Sequence, residues 1–251
     1  MPEHTTVSHE RSPYMHVLLY GEPGVGKTVV AGSSPDALIL RPSTDGTESL
    51  GKFGYTPEEA VVDTWKEMWD WYDELARGDH GFKWVWLDSI TLFQEMGLDD
   101  IMYELVQEKP HRDPFQPGVE NYGQNMLRLS KWVRQMRTLP INFGMTAHIQ
   151  RTEDHDGETR YMPAIQGKNM PEKISGYMGI VAALQVREGT DGNDHRVLLL
   201  KKDGKWYAKD RYNLTEQGYI VDPTVPKMMS LMSGGSAPRK KTTRKRTARK
   251  G

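Results

Sequence analysis

The chain has no cysteine, which excludes disulfide cross-links and thiolate metal centres and fits a reducing compartment. Long apolar runs are missing too. Those present, such as Val17-Leu18-Leu19 and Val197-Leu198-Leu199-Leu200, fall far short of the roughly 18 to 20 residues that a membrane-spanning helix needs. Residues 1–13 are polar and carry no apolar stretch ahead of a cleavage site, so no secretory leader is read there and the chain is expected in the cytoplasm. Residues 239–250 hold eight of the 33 Lys and Arg and no Asp or Glu. Residues 1–238 keep 25 Lys and Arg against 34 Asp and Glu, a formal charge of −9, so an acidic body bears a basic tail.

What remains suits a globular enzyme. At 251 residues, 37% hydrophobic and with seven Trp, the chain supports one buried core. Residues 14–232 read as that domain and 1–13 as a flexible lead. Residues 233–251, made mostly of Gly, Ser, Lys, Arg and Thr, read as a disordered tail because they have too little apolar surface to bury.

Apolar residues 15–20 run into Gly21-Glu22-Pro23-Gly24-Val25-Gly26-Lys27-Thr28, and residues 27–31 begin a helix. Strand, glycine-rich loop and helix form the context of a phosphate-binding loop. The glycines let successive N–H groups converge on an anion at a helix N-terminus. Lys27 supplies a cation for the β and γ phosphates of ATP, and the Thr28 hydroxyl a ligand for Mg²⁺. Such a site also needs a carboxylate at a strand end for the metal's water shell, and Trp84-Val85-Trp86-Leu87-Asp88 provides Asp88. Its neighbour is Ser89 rather than Glu, so the water-orienting base must come from elsewhere. The strand adjoining the phosphate-loop strand is taken to be 37–40, which leads to Asp45, with Glu48 as the rival.

Helical spacing of Val61, Trp65, Met68, Trp69, Tyr72 and Leu75 predicts an amphipathic helix over 57–76 and assigns Trp65 and Trp69 to packing rather than base stacking. A strand is read at 82–87, a helix at 92–107, a loop at 110–123, a helix at 125–136 and a strand at 141–147. The alternation indicates an α/β fold with a mostly parallel sheet between helices. Strands at 180–186 and 195–200, with a third at 206–209, suggest a C-terminal hairpin or meander.

Taken together, the phosphate loop, Leu87-Asp88-Ser89-Ile90-Thr91-Leu92 and Met145-Thr146-Ala147-His148 resemble the RecA-like core ATPases. More narrowly, the chain resembles the phage-encoded, RecA-related single-strand annealing proteins of the Sak type, AAA-domain ATPases. Glu120-Asn121-Tyr122-Gly123-Gln124 and Pro163-Ala164-Ile165-Gln166-Gly167-Lys168 are similar to segments of that group, and the resemblance spans about residues 14–211. It implies ATP binding, engagement of single-stranded DNA, strand annealing in phage recombination and a host-cytoplasmic location. It also implies a homo-oligomeric ring or filament, with a single-strand binding protein as a further partner.

By position, Thr146 and His148 would sense the γ phosphate. The loop 149–175, with Arg151, Arg160, Lys168 and Lys173, would face DNA. Lys209 and Arg211 would enter a neighbour's site as a trans finger. Arg239, Lys240, Lys241, Arg244, Lys245 and Arg246 offer phosphate contacts of their own, sequence-independent and salt-sensitive. Two other classes stay open: a nucleotide-gated DNA-binding module with little hydrolysis, and a helicase or motor.

Overall fold

The computed structural model describes residues 13–234 apart from 154, 155 and 191. The tail cations Arg239 to Arg246 and residues 1–12 lie outside the described residues, as does the disorder expected of the tail beyond Gly234. The chain folds around a nine-stranded sheet. Its first half alternates β1 (His16–Tyr20), α1 (Lys27–Gly32), β2 (Ala37–Arg41), a 3₁₀ turn (Glu48–Phe53), β3 (Glu58–Val61), α2 (Trp65–Arg77) and β4 (Trp84–Leu87). There follow α3 (Ile90–Glu108), α4 (Val119–Met136), β5 (Asn142–Ala147), β6 (Ile149–Glu153), β7 (Thr159–Pro163) and α5 (Met170–Tyr177). The chain closes with β8 (Ile180–Glu188), β9 (Asp194–Leu199), β10 (Lys209–Asp210), β11 (Tyr219–Val221) and α6 (Val225–Met232).

The sheet order is β11-β9-β8-β1-β5-β4-β2-β3, with β10 on β8. All pairs from β8 to β3 are parallel, and β9, β10 and β11 join antiparallel. This is the expected α/β core. Its central strands are apolar along their length because both faces are covered. Leu18, Tyr20, Val85 and Leu87 pack under α2 to α5, while Val17, Leu19, Trp84 and Trp86 point to the opposite face with α1 and α6. On that second face the Trp84 and Trp86 rings stack 5.5 Å apart, and Trp86 Nε1 donates to Ser34 Oγ at 2.8 Å.

Four expectations are corrected. The helix predicted over 57–76 begins only at Trp65; residues 58–61 form β3, parallel to β2. Thr64 and Glu67 make a reciprocal capping box that fixes the helix start, so Val61 falls outside the helix despite its helical spacing. The loop over 110–123 gives way at Val119 to α4, where Asn121 Oδ1 accepts from Gly118 N–H at 2.9 Å. The segment 149–175 is a β6–β7 hairpin followed by α5 rather than one loop. The third strand expected at 206–209 is not part of the meander: β10 begins at Lys209 and pairs with β8, and β11 takes the place beside β9. Trp65 is a core residue, as its spacing indicated, with Nε1 donating to Gly97 O at 3.1 Å.

Candidate active site

The phosphate loop follows β1 directly and ends in α1. Gly24 and Gly26 have φ of 79° and 98°, a left-handed backbone that side-chain-bearing residues adopt at a cost. That is what turns the N–H groups inward. Lys27 is only 8% exposed, and its Nζ donates to Gly21 O at 3.0 Å and Glu22 O at 2.9 Å, which holds the ammonium across the loop. Burial lowers its pKa, and the nearby carboxylates of Asp88, Glu22 and Asp45 oppose that shift.

Asp88 follows β4 and is buried. Desolvation pushes its carboxyl above the usual range, against hydrogen bonds from Thr146 and Thr28 and the charge of Lys27. Thr146 Oγ1 donates to Asp88 Oδ1 from the neighbouring strand β5, which lies between the phosphate-loop strand and the Asp88 strand. Thr28, Lys27, Asp88 and Thr146 thus converge at the C-terminal ends of three adjacent parallel strands. Ser89 caps α3, its Oγ accepting from Leu92 N–H at 3.4 Å, so the position beside Asp88 serves helix initiation.

The strand leading to Asp45 does not adjoin β1. β2 lies beyond β5 and β4, next to the Asp88 strand. Asp45 is half-buried and acts electrostatically on both Asp88 and Lys27, so it faces the site despite the misplaced strand. Glu48 is exposed, and its carboxylate folds back against Gly46.

His148 stands just after β5, its N–H donating to Thr91 Oγ1 at 3.0 Å. Arg151 lies on β6 and Arg160 on β7, with Arg160 paired to Glu172 at 3.7 Å; Lys168 and Lys173 are exposed nearby. A groove of about 650 Å³ runs between this hairpin and α5, lined by Gln150, Thr152, Arg160, Lys168 and Asn169 among others. Lys209 and Arg211 sit elsewhere, toward the opposite end of the sheet from the phosphate loop. Lys209 Nζ donates to Ser175 O at 2.6 Å and Arg211 Nη2 to Gly176 O at 3.1 Å, at the C-terminal end of α5. Burial, then Arg211 and Arg137, lower the Lys209 pKa to about 8.

Three long-range contacts were not legible in the sequence. Tyr20, the last residue of β1, has its hydroxyl 3.0 Å from Tyr161 O and 2.7 Å from Tyr207 O. Gln94 bonds the backbone of Gln166 through both ends of its amide. Arg196 on β9 donates from Nε to Val25 O at 3.0 Å. No local pattern signals any of them, because each partner is remote in sequence.

The oxygen donors fit a hard cation. Among the described residues no group of three or more His, Cys, Asp and Glu is placed to hold a metal. Mg²⁺, however, is held through one or two protein oxygens together with phosphate and water, and the hydrogen-bonded Thr28 and Asp88 present such a pair. Bound there, the metal would neutralise charge on the transferring phosphate.

No curated protein sequence matches this chain. Among solved structures, it is similar to the flagellar accessory protein FlaH from Methanocaldococcus jannaschii at 9% identity, covering 83% of this chain and 85% of that one, with a TM-score of 0.45. It is also similar to the uncharacterized protein PH0321 from Pyrococcus horikoshii at 11% identity, covering 74% and 84%, with a TM-score of 0.39. Likenesses at this level carry no functional argument. The model of the AAA domain matches residues 14–212, most of the chain and every residue of the converged site. The chain therefore belongs to the AAA domain family and is an ATPase.

Proposed function

We propose that this ATPase works in DNA recombination, binding ATP with Mg²⁺, engaging single-stranded DNA and promoting strand annealing as a ring or filament. Lys27 and the loop amides hold the phosphates, Thr28 and Asp88 hold the metal and its water, and Asp45 orients the attacking water. Thr146 and His148 report the γ phosphate.

The observation that supports the DNA arm is how the hairpin carrying Arg151 and Arg160 is seated. Tyr20, immediately before the phosphate loop, bonds at the β7 residue Tyr161. On the other side, Thr91, three residues after Asp88, bonds to His148 N–H and Ala164 O at the hairpin's base. A shift at the phosphates or the metal carboxylate is therefore passed to Arg151, Arg160, Lys168 and Lys173. In an assembly, Lys209 and Arg211 are the cations offered to a neighbour's nucleotide, and a single-strand binding protein is a further partner.

The test measures ATP turnover with and without single-stranded DNA over a range of salt, alongside annealing of complementary strands. DNA should raise turnover, salt should weaken the effect, and Lys27→Ala should abolish ATP binding. Turnover that DNA leaves unchanged, with annealing still dependent on ATP, favours the nucleotide-gated module, whose supporting observation is Ser89 in place of a carboxylate beside Asp88. ATP-driven duplex unwinding favours a motor. Absence of both annealing and DNA binding overturns the recombination reading.

A further inference from the structure

The phosphate loop fixes one end of a nucleotide, and the sheet order indicates where the other end must go. Asp88 and Thr146 belong to strands on one side of β1, while β8 and β9 lie on the other. A triphosphate whose terminal phosphate faces Lys27 and Asp88 extends its ribose and base away from them, toward β9.

On that side stands Arg196. Besides the bond from Nε to Val25 O, it lies so close to the loop that a Cβ on Gly26 would run into its Nε. Its guanidinium carbon is 5.3 Å from the centroid of the Phe53 ring. Phe53 in turn stacks on Tyr55, with centroids 6.5 Å apart and planes at 11°. The Arg196 backbone is held by Asp222, which accepts from Arg196 N–H at 3.2 Å and donates its own N–H to Arg196 O at 2.6 Å.

Phe53 closes the 3₁₀ turn that packs on α1, is 45% exposed and belongs to neither core cluster. An exposed aromatic ring beside a planar cation, at the far side of an anion site, has little to contribute to the core or to phosphate chemistry. It matches a flat, π-rich heterocycle, which gains from stacking on both groups.

We propose that Phe53 and Arg196 form the seat of the nucleobase, with the base stacked on Phe53 and the guanidinium joining that seat to the phosphate loop through Val25. The inference rests on the nucleotide reading of the site. Because stacking scales with ring area and reads no hydrogen-bond pattern, the seat favours purine over pyrimidine triphosphates.

Calorimetric titration with ATP, CTP and inorganic tripolyphosphate, all with Mg²⁺, tests it in the wild-type chain, Phe53→Ala and Arg196→Ala. Phe53→Ala should bind ATP about tenfold more weakly and lose the preference for ATP over CTP while binding tripolyphosphate as the wild type does; Arg196→Ala, which also takes a cation and a hydrogen bond from the loop, should weaken both ligands, ATP the more. Circular dichroism checks that each variant is folded; Phe53→Leu, which keeps an apolar side chain without the ring, should behave as Phe53→Ala does. Undiminished ATP affinity in Phe53→Ala overturns the seat. So does an equal loss of ATP and tripolyphosphate, which makes the pair a brace for the loop. A wild-type chain that binds neither ligand overturns the phosphate-loop reading itself, a result distinct from the other two.

Discussion

Replacing His16 by leucine should flatten the acid limb of the chain's stability. His16 lies on β1, 7% exposed, and its Nε2 has no hydrogen-bond partner among the described residues. Burial first, and repulsion from Arg137 second, lower its pKa from 6.5 to about 4. The unfolded chain takes up the proton near pH 6.5, the folded one only near 4, so stability is intact above the first value and falls as the pH drops toward the second. At about 1.4 kcal/mol per unit the full span costs about 3 kcal/mol, of which about 2 kcal/mol is lost by pH 5. Urea denaturation followed by tryptophan fluorescence at pH 7.5 and pH 5 measures this. Carboxylates that titrate in the same interval do so in both proteins, so His16→Leu should lose about 2 kcal/mol less than the wild type between the two pH values. Equal losses would refute the reasoning.

Two further outcomes follow from the site and its sheet. Thr146→Val removes a hydrogen bond that lowers the Asp88 pKa, so the acid limb of the ATP turnover profile should move to higher pH; a profile that stays in place would separate Thr146 from the chemistry. Gly144→Ala places a methyl group into the buried Trp86 ring across β5 and β4 and should cost about 1–3 kcal/mol, read as a lower urea midpoint with an unchanged slope.

The parts of this fold legible in the sequence are those whose signal is local. The phosphate loop, the apolar strands and the strand-end position of Asp88 each reside in a handful of consecutive residues. Strand order is not local, and nothing in the apolar run at 37–40 tells that β5 and β4 intervene between β1 and β2. Asp45 still faces Lys27 and Asp88, because β2 ends beside the Asp88 strand at the same edge of the sheet. β3 is hidden in the sequence for a different reason. Its residues are largely exposed, so it lacks both the apolar run of a buried strand and the alternation of a half-buried one, and Val61 lent its apolar character to the helix that follows. Arg196 meets Val25 across 171 positions, a contact that only the pairing of β9 with β8 creates.

The same exposed strand has a consequence for how copies of the chain can meet. β3 ends the sheet, and an unpaired strand edge is an open template onto which another chain can add a strand. Here the edge is four residues long and begins with Glu58 and Glu59, and Glu59 is already bound by Arg41 at 3.1 Å. A second copy of so short an edge laid against it would gain few backbone hydrogen bonds while bringing four Glu to one seam. The β3 margin is therefore a poor seam between two copies of this chain.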